Sequence, residues 1–372
     1  SGFNIQNVKI VKDVVSVPVI GVGRMNDPAL MLSALRTGAM DFVALGRESV
    51  CDPHLPEKIK EGRLDEILTC TGCMQRCLYP NSFEEGFGIS CMINPFSGKE
   101  HIWEITPAEK KKKIAVVGAG PVGLQAAWIL AKRGHEVKVY EKEITAGGQY
   151  RLAAVPAMKQ ELAKTISTYL TFCKKYGAEV IYGVKATKEM LEQEGFDEII
   201  LACGAQPLVP RIPGIDGENV YLANQVLSFD VRLSGQKILV LGAGLVGAEA
   251  AEVLSTYGNK VTVVDMLDKA APLAPLRPRE NLLSRLDKAG VGFCLNSRVC
   301  EIRPDGIRYD QNGETKEMTG FDSIVLAFGS RSDKALETEY EGDHRIHSVG
   351  DCLTAGDAKK GIYEATKLAM VL

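Results

Sequence analysis

Two sets of residues in this chain have the types and spacing to do chemistry. The first is Cys70-x2-Cys73-x3-Cys77-x13-Cys91, three thiols on one tight loop and a fourth after a longer excursion. Four thiolates are what an iron–sulfur cluster requires. Structural zinc is the competitor, but zinc sites favour two paired C-x2-C hooks, and the second hook is absent here. The second set is an internal repeat, in which Ile114 to Gly123 (IAVVGAGPVG) aligns with Ile238 to Gly247 (ILVLGAGLVG). In each copy the first glycine, Gly118 or Gly242, permits a tight turn. The second, Gly120 or Gly244, lets the backbone approach a pyrophosphate, and the third, Gly123 or Gly247, allows helix and strand to pack closely. An acid ends each unit, Glu141 in the first and Asp265 in the second, placed to accept hydrogen bonds from ribose hydroxyls. The phosphates then face a helix N-terminus, whose unpaired N–H groups and dipole favour anions. Two dinucleotides are expected. Asp265 would repel a 2'-phosphate and argues for NADH over NADPH, while Lys269 nearby pulls the other way.

These residues need elements to hold them. The first glycine turn joins a strand over Lys113–Val117 to a helix over Leu124–Arg133, with a return strand over Glu136–Tyr140. The second copy runs from Lys237 through Ala248 to Ser255 and returns on Lys260–Asp265, so each copy is a βαβ unit. Ahead of the cysteines, the apolar run Val17–Val22 reads as a strand. Asp27-Pro28 then caps a helix that Gly38 ends. Asp41–Arg47 repeats the strand, and Asp52-Pro53 opens a further helix. Two strand–helix units cannot close a barrel by themselves.

A length of 372 residues fits two to three domains at ~150 residues each. Hydrophobic residues at 45% and charged residues at 24% mark a globular chain with ample apolar surface to bury. A net charge of -3 provides no field for a nucleic-acid backbone or an anionic membrane, and the basic run Lys110–Lys113 reads as a solvated linker. No apolar stretch is long enough to span a bilayer and no signal sequence opens the chain, so a cytoplasmic location is expected. The first residue is not Met, and the amphipathic segment Ile5–Val15 starts almost at once, which reads as truncation. Ten cysteines are too sparse for a disulfide scaffold. Cys51, Cys173, Cys203, Cys294, Cys300 and Cys352 lack the cluster spacing and, like the five scattered histidines, are assigned no chemistry.

Ser348-Val349-Gly350-Asp351 resembles the late Gly-Asp segment of two-dinucleotide flavoproteins, where the Asp binds the FAD ribityl chain. That likeness assigns FAD to the first repeat and NAD to the second. Ile199–Gly204 and Ile324–Gly329 look like the strands that cross between the FAD and NAD domains of that class. Gly147-Gly148-Gln149 reads either as a backbone approach to the isoalloxazine, with Gly148 and Gln149 against FAD, or as a plain loop.

Two strand–helix units ending in Gly46-Arg47, a four-cysteine cluster, and two nucleotide repeats, in that order, together resemble the multidomain branch of the old yellow enzyme family. That branch includes 2,4-dienoyl-CoA reductase, 2-enoate reductase and trimethylamine dehydrogenase. The resemblance implies an α/β chain. The last two units of a (β/α)8 barrel span residues 1–66 and an iron–sulfur segment spans 67–105. Two nested Rossmann-like domains follow, one for FAD over 106–215 plus 340–372 and one for NAD(P) over 216–339. It further implies FMN in the barrel, its phosphate gripped by Gly46 and Arg47 and, less tightly matched, by Gly23 and Arg24. A 4Fe-4S cluster on Cys70, Cys73, Cys77 and Cys91 would relay electrons from NADH through FAD to FMN, which reduces an activated C=C bond of a small substrate. The C-x2-C-x3-C spacing looks more like the dienoyl-CoA and enoate reductases than trimethylamine dehydrogenase, and the x13 gap is longer than expected even there. No proton donor can be named, since the family's would lie before Ser1. A subunit like the flavin and cluster subunit of glutamate synthase fits the repeats but not Gly46-Arg47. An amine dehydrogenase-like chain with ADP in the second repeat also fits the glycines. The sequence specifies neither the substrate nor an oligomeric state, and a homo-oligomer is compatible with it.

Overall fold

The computed structural model describes residues 1–78 and 88–372. Most of the excursion between Cys77 and Cys91 lies outside the described residues. The sequence folds into parallel sheets flanked by helices, with two five-stranded sheets at its centre.

The first of these orders its strands Ile346–Ser348, Glu198–Leu201, Lys113–Val117, Glu136–Glu141 and Glu179–Tyr182, all parallel. Ile114, Ala115 and Val116 are buried on both faces, as a central parallel strand with helices on either side must be. The helix after this strand starts at Pro121, ahead of the expected Leu124, because a proline at the first turn has no N–H to leave unpaired. Its other end is Lys132. The strand Ile346–Ser348 carries the far end of the chain back into this sheet, followed by the helix Ala358–Val371.

The second large sheet orders Gly292–Cys294, Lys260–Val264, Lys237–Leu241, Ser323–Leu326 and Val220–Leu222, again all parallel. Its helix, Leu245–Thr256, follows the second glycine turn. A three-stranded antiparallel sheet, Ser297–Arg303, Gly306–Gln311 and Glu314–Thr319, is inserted before Ser323. The strands named in the sequence as crossing between domains belong to the two large sheets. The connection itself is made just after them, where Ala205–Pro207 pairs antiparallel with Ser330–Ser332.

Ahead of the cysteines, two short parallel strands, Ile20–Gly21 and Phe42–Val43, carry the helices Ile5–Lys12 and Pro28–Arg36. Asp27 caps the second helix by accepting from the Ala29 and Leu30 N–H groups, as its place before Pro28 suggested. One face of the pair lies open, with Ile20 63% and Phe42 58% exposed, while Gly21 is buried. Asp52 does not open a helix directly. The helix is Leu55–Lys60, and the buried Asp52 carboxylate instead ties together the Lys58 ammonium, at 2.6 Å, and the Leu68 N–H, at 2.9 Å. The basic run is less solvated than it reads, since Lys112 pairs with Glu198 at 2.7 Å and Lys113 with Glu194 at 3.1 Å. Among the described residues no helix is long and apolar enough to cross a membrane.

Candidate functional site

Each glycine turn forms a cradle whose three glycines have separable jobs. Gly118 has φ +107° and Gly242 φ +113°, conformations that L side chains rarely adopt. A Cβ on Gly123 would stand 1.9 Å from the Gly118 carbonyl oxygen, and a Cβ on Gly247 the same distance from that of Gly242. These outer glycines are fixed by close packing. The middle ones, Gly120 and Gly244, have nothing within 4 Å of where a Cβ would sit, so the protein leaves the space before each helix open for a phosphate. The two acids pin their own turns. Glu141 accepts from the Ala119 N–H at 2.8 Å and the Glu143 N–H at 2.9 Å, while Asp265 accepts from the Ala243 and Leu267 N–H groups. Each carboxylate is thereby held beside the turn where a ribose would lie.

The first cradle is completed by distant segments. Gly147 donates to the Ala119 carbonyl at 2.9 Å, and the Gly148 position faces Gly120. Gln149 reaches across to the Ala205 carbonyl at the connection between the two sheets. Gly350 and Gly361 press on Val122, where added Cβ atoms would come within 3.0 and 2.7 Å of its side chain. Asp351 therefore arrives at the end of the strand beside this cradle. Burial raises its carboxyl above the usual range. On the second cradle the Ala271 N–H donates to the Ala243 carbonyl at 2.7 Å, as the Gly147 N–H does on the first, but Leu245, Val246, Met266 and Leu267 around it are exposed. Lys269 lies beyond Asp265 in a separate cleft that it shares with Asp268, Arg279 and Asp287.

The sequence's four cysteines are brought together. Cys70, Cys73, Cys77 and Cys91 line one cavity, with Arg47, Thr71, Arg76 and Met92 among its other walls. Among the described residues no three ligating side chains converge as they would on a single ion. Four thiols around one cavity are the donor set that an iron–sulfur cluster requires. Backbone N–H groups point at the thiols: those of Met92, Ile93 and Asn94 at Cys91, that of Gly72 at Cys70 and that of Gln75 at Cys73. Without a metal, burial pushes the Cys70 and Cys73 thiols up to about 11.

Several residues that hold this cavity carry no signal in the sequence. Cys51 is fully buried, hydrogen-bonded to the Leu68 carbonyl at 3.1 Å, and within hydrogen-bond reach of the Cys91 thiol. Its thiol holds Cys91 below the usual range while its own is pushed up. Asn26 donates to the Cys70 carbonyl at 3.1 Å and Asn94 to the Cys51 carbonyl at 2.8 Å. The helix Glu161–Tyr176 binds the assembly to the first cradle: Thr168 donates to the Ile67 carbonyl and Tyr169 to that of Ile93.

The residues matched to a phosphate grip lie on the same side of the molecule. Gly46 opens the short helix Arg47–Cys51, and Arg47 lines the cysteine cavity with one guanidinium nitrogen unpaired. Gly23, at φ +148°, precedes Arg24, itself at positive φ. Arg24 Nη2 donates to the Thr71 carbonyl at 3.2 Å and pairs with Glu161 at 3.2 Å, while its Nε is buried without a partner among the described residues.

Comparison with known proteins fits this architecture. Residues 112–363 match the family described as pyridine nucleotide-disulphide oxidoreductase, and residues 2–66 match the NADH:flavin oxidoreductase / NADH oxidase family. The chain is 34% identical to an NADH oxidase of Thermoanaerobacter brockii, covering 95% of this chain and 57% of that protein. It is 33% identical to a cinnamate reductase of Clostridium sporogenes, over 97% of this chain and 54% of the relative. The structure of a 2-naphthoyl-CoA reductase superposes with a TM-score of 0.93 at 30% identity, covering 100% of this chain and 56% of that one. The chain thus spans little more than half the length of these relatives.

Proposed function

From the premise that the chain belongs to the pyridine nucleotide-disulphide oxidoreductase family, in the multidomain form headed by an NADH:flavin oxidoreductase segment, we propose that it is the electron-input part of an ene-reductase. The observation that carries this reading is the four-thiol cavity, which borders Arg47 on one side and packs into the core of the first cradle on the other. On this reading Gly118, Gly120, Gly123, Glu141, Gly148, Gln149, Gly350 and Asp351 hold FAD, and Gly242, Gly244, Gly247 and Asp265 hold NADH. Cys70, Cys73, Cys77 and Cys91 hold a 4Fe-4S cluster, and Gly23, Arg24, Gly46 and Arg47 face the phosphate of FMN. Bound there, these groups would supply hydride transfer between nicotinamide and flavin and single-electron transfer through the cluster, the chemistry that reduction of an activated C=C bond needs.

The chain's own residues supply binding and orientation. Glu141 and Asp265 orient ribose, the open space before each helix admits the pyrophosphate, and the cysteine cavity holds one thiol buried and three half-buried. The cinnamate and 2-naphthoyl-CoA reductases suggest the substrate class, a small conjugated acid or its thioester. The exposed side chains of Ile20 and Phe42 leave one face of this strand pair uncovered, and two units cannot enclose FMN. This chain alone is therefore expected to oxidise NADH at FAD without reducing an enoate.

The test is an anaerobic preparation analysed for iron, sulfide and flavin, then mixed with NADH. Iron, sulfide and a bleach of the flavin band support the proposal. Zinc in place of iron removes the cluster, and an unbleached flavin with bound ADP removes the input role.

A further inference from the structure

Two guanidinium groups, those of Arg47 and Arg76, line the cavity of the four thiols. Each keeps a buried nitrogen without a partner among the described residues, Nη1 in Arg47 and Nε in Arg76. A buried N–H left unpaired is costly unless an acceptor belongs beside it, and more so on a cation. For Arg47 the phosphate proposed above is one such acceptor. Arg76 is not part of that grip, and the contacts that hold it are neutral. Its Nη1 reaches the Ser90 hydroxyl at 3.5 Å, and its guanidinium carbon lies 5.0 Å from the centre of the Tyr363 ring. Arg76 directly precedes Cys77 and Ser90 directly precedes Cys91, so the arginine joins the two ends of the excursion at the cavity wall. Tyr363 lies on the helix Ala358–Val371, two residues past the Gly361 that presses on Val122 at the first cradle. Its ring is itself held: Lys99, fully buried, donates to the Tyr363 hydroxyl at 2.9 Å, and Trp103 stacks on the ring at 5.4 Å between centres. An aromatic face attracts a cation without neutralising it, as a carboxylate would. The charge of Arg76 is thus fixed in place and left to act on the cavity.

The geometry points to Arg76 as the fixed positive charge that sets the potential of the iron–sulfur cluster, clamped at the cavity wall by the Tyr363 ring of the C-terminal helix. This rests on the proposal that the four cysteines hold a cluster. A cluster on four thiolates becomes more negative by one charge when it takes an electron, so a cation at its wall stabilises the reduced state and raises the potential. A partly buried charge is screened by salt far less than an exposed one. Arg76 is then a tuning residue: it sets how far electrons delivered at the first cradle favour the cluster. The cysteine spacing asks for no arginine here, since any residue can occupy the third place between Cys73 and Cys77.

The test is an EPR-monitored redox titration of the full chain, purified with its cluster and flavin, for the wild type, Arg76→Gln, Arg76→Lys and Lys367→Gln. Lys367 is the control, because its ammonium stands 5.7 Å from the centre of the same Tyr363 ring but the residue is exposed to solvent. Iron and sulfide per chain are measured first. Wild-type chain without iron overturns the cluster reading beneath the proposal, a failure visible before any titration. Arg76→Gln should retain iron and shift the one-electron equilibrium about tenfold against the reduced cluster, a potential lower by about 59 mV. Arg76→Lys, which keeps the charge, and Lys367→Gln should both stay nearer the wild-type value than the Arg76→Gln value. An unchanged potential in an iron-replete Arg76→Gln overturns the assignment, as does an equal fall in Arg76→Lys or in Lys367→Gln. If Arg76→Gln does not retain iron, Arg76→Lys decides. Iron held near the wild-type potential upholds the need for a charge at this wall, whereas loss of iron from both variants makes Arg76 a brace of the loop and overturns the proposal.

Discussion

Gly123 and Gly247 hold the same place in their turns, each with no room for a Cβ beside a carbonyl oxygen, yet what lies over the two turns is different. Above the first, Gly350, Asp351 and the helix Ala358–Val371 close down on Val122, and Gly147-Gly148 comes in from the side. Above the second, Leu245, Val246, Met266 and Leu267 face solvent. The grip on the phosphates and the contact from the side, Gly147 to the Ala119 carbonyl and Ala271 to the Ala243 carbonyl, are repeated, while the cover from the C-terminal helix is not. Affinity differences between related sites reside mostly in how fast a ligand leaves, and cover governs that rate more than grip does. The first cradle thus suits a resident flavin and the second a nicotinamide nucleotide that enters and leaves.

The comparison breaks most sharply at the outer glycines. Gly123→Ala should cost about 3 kcal/mol of local packing, on the order of a hundredfold in flavin occupancy, read as flavin absorbance per chain. Gly247→Ala should keep flavin and lose its reduction by NADH. Loss of flavin from both variants would mean the two turns do not act separately.

The ion pair between Lys159 and Glu249 joins the sites, since Lys159 follows the flavin-side loop and Glu249 lies on the helix of the second cradle. Burial raises the Glu249 carboxyl above its ordinary 4.5, with Lys159 opposing. Lys159→Met should destabilise the chain by about 2 kcal/mol at neutral pH, discounted because the lysine is partly exposed. A carboxyl whose folded pKa is raised loses stability as pH climbs from about 4.5 through that raised value. The penalty should therefore shrink in acid, and a denaturation series at pH 4 and pH 7 showing equal deficits would contradict the pairing.

Asp265→Ala should weaken NADH about tenfold, near 1.4 kcal/mol, by removing the ribose acceptor and loosening the turn at Ala243. It should also narrow any preference for NADH over NADPH, measured by titration with each nucleotide. The smallest effect is expected at the cover. Gly361→Ala adds a Cβ 2.7 Å from Val122 and should cost about 1 kcal/mol, speeding flavin release several-fold without changing the NADH affinity. A flavin release rate equal to wild type would remove the C-terminal helix from the account.

The cradles were legible in the sequence because their rules are local: a strand, a turn that only glycine can make, a helix and an acid at a fixed remove. The four cysteines were legible by spacing, and the structure gathers them around one cavity. What holds that cavity was not. Cys51, Asn26 and Asn94 act across long sequence separations, and Tyr169 reaches the Ile93 carbonyl beside Cys91 only once the helix Glu161–Tyr176 has docked. Asp52 looked like a helix opener because Asp-Pro is a local signal, whereas its buried carboxylate answers to Lys58 and Leu68. The strands that the sequence marks as crossing lie one turn before the connection for a similar reason. An apolar run ending in Gly marks a sheet strand, while the short pairing of Ala205–Pro207 with Ser330–Ser332 has no hydrophobic pattern of its own.

The central claim is a division of labour between two cradles of one design, and the measurement that tests it most directly is an anaerobic NADH titration of the wild type, Gly123→Ala and Gly247→Ala chains, followed at the flavin band. The account predicts a wild-type flavin bleached by NADH, a Gly123→Ala chain nearly empty of flavin, and a Gly247→Ala chain full of flavin that NADH does not bleach. A Gly247→Ala chain whose flavin is reduced like the wild type, or one that has lost its flavin while Gly123→Ala keeps it, would contradict it.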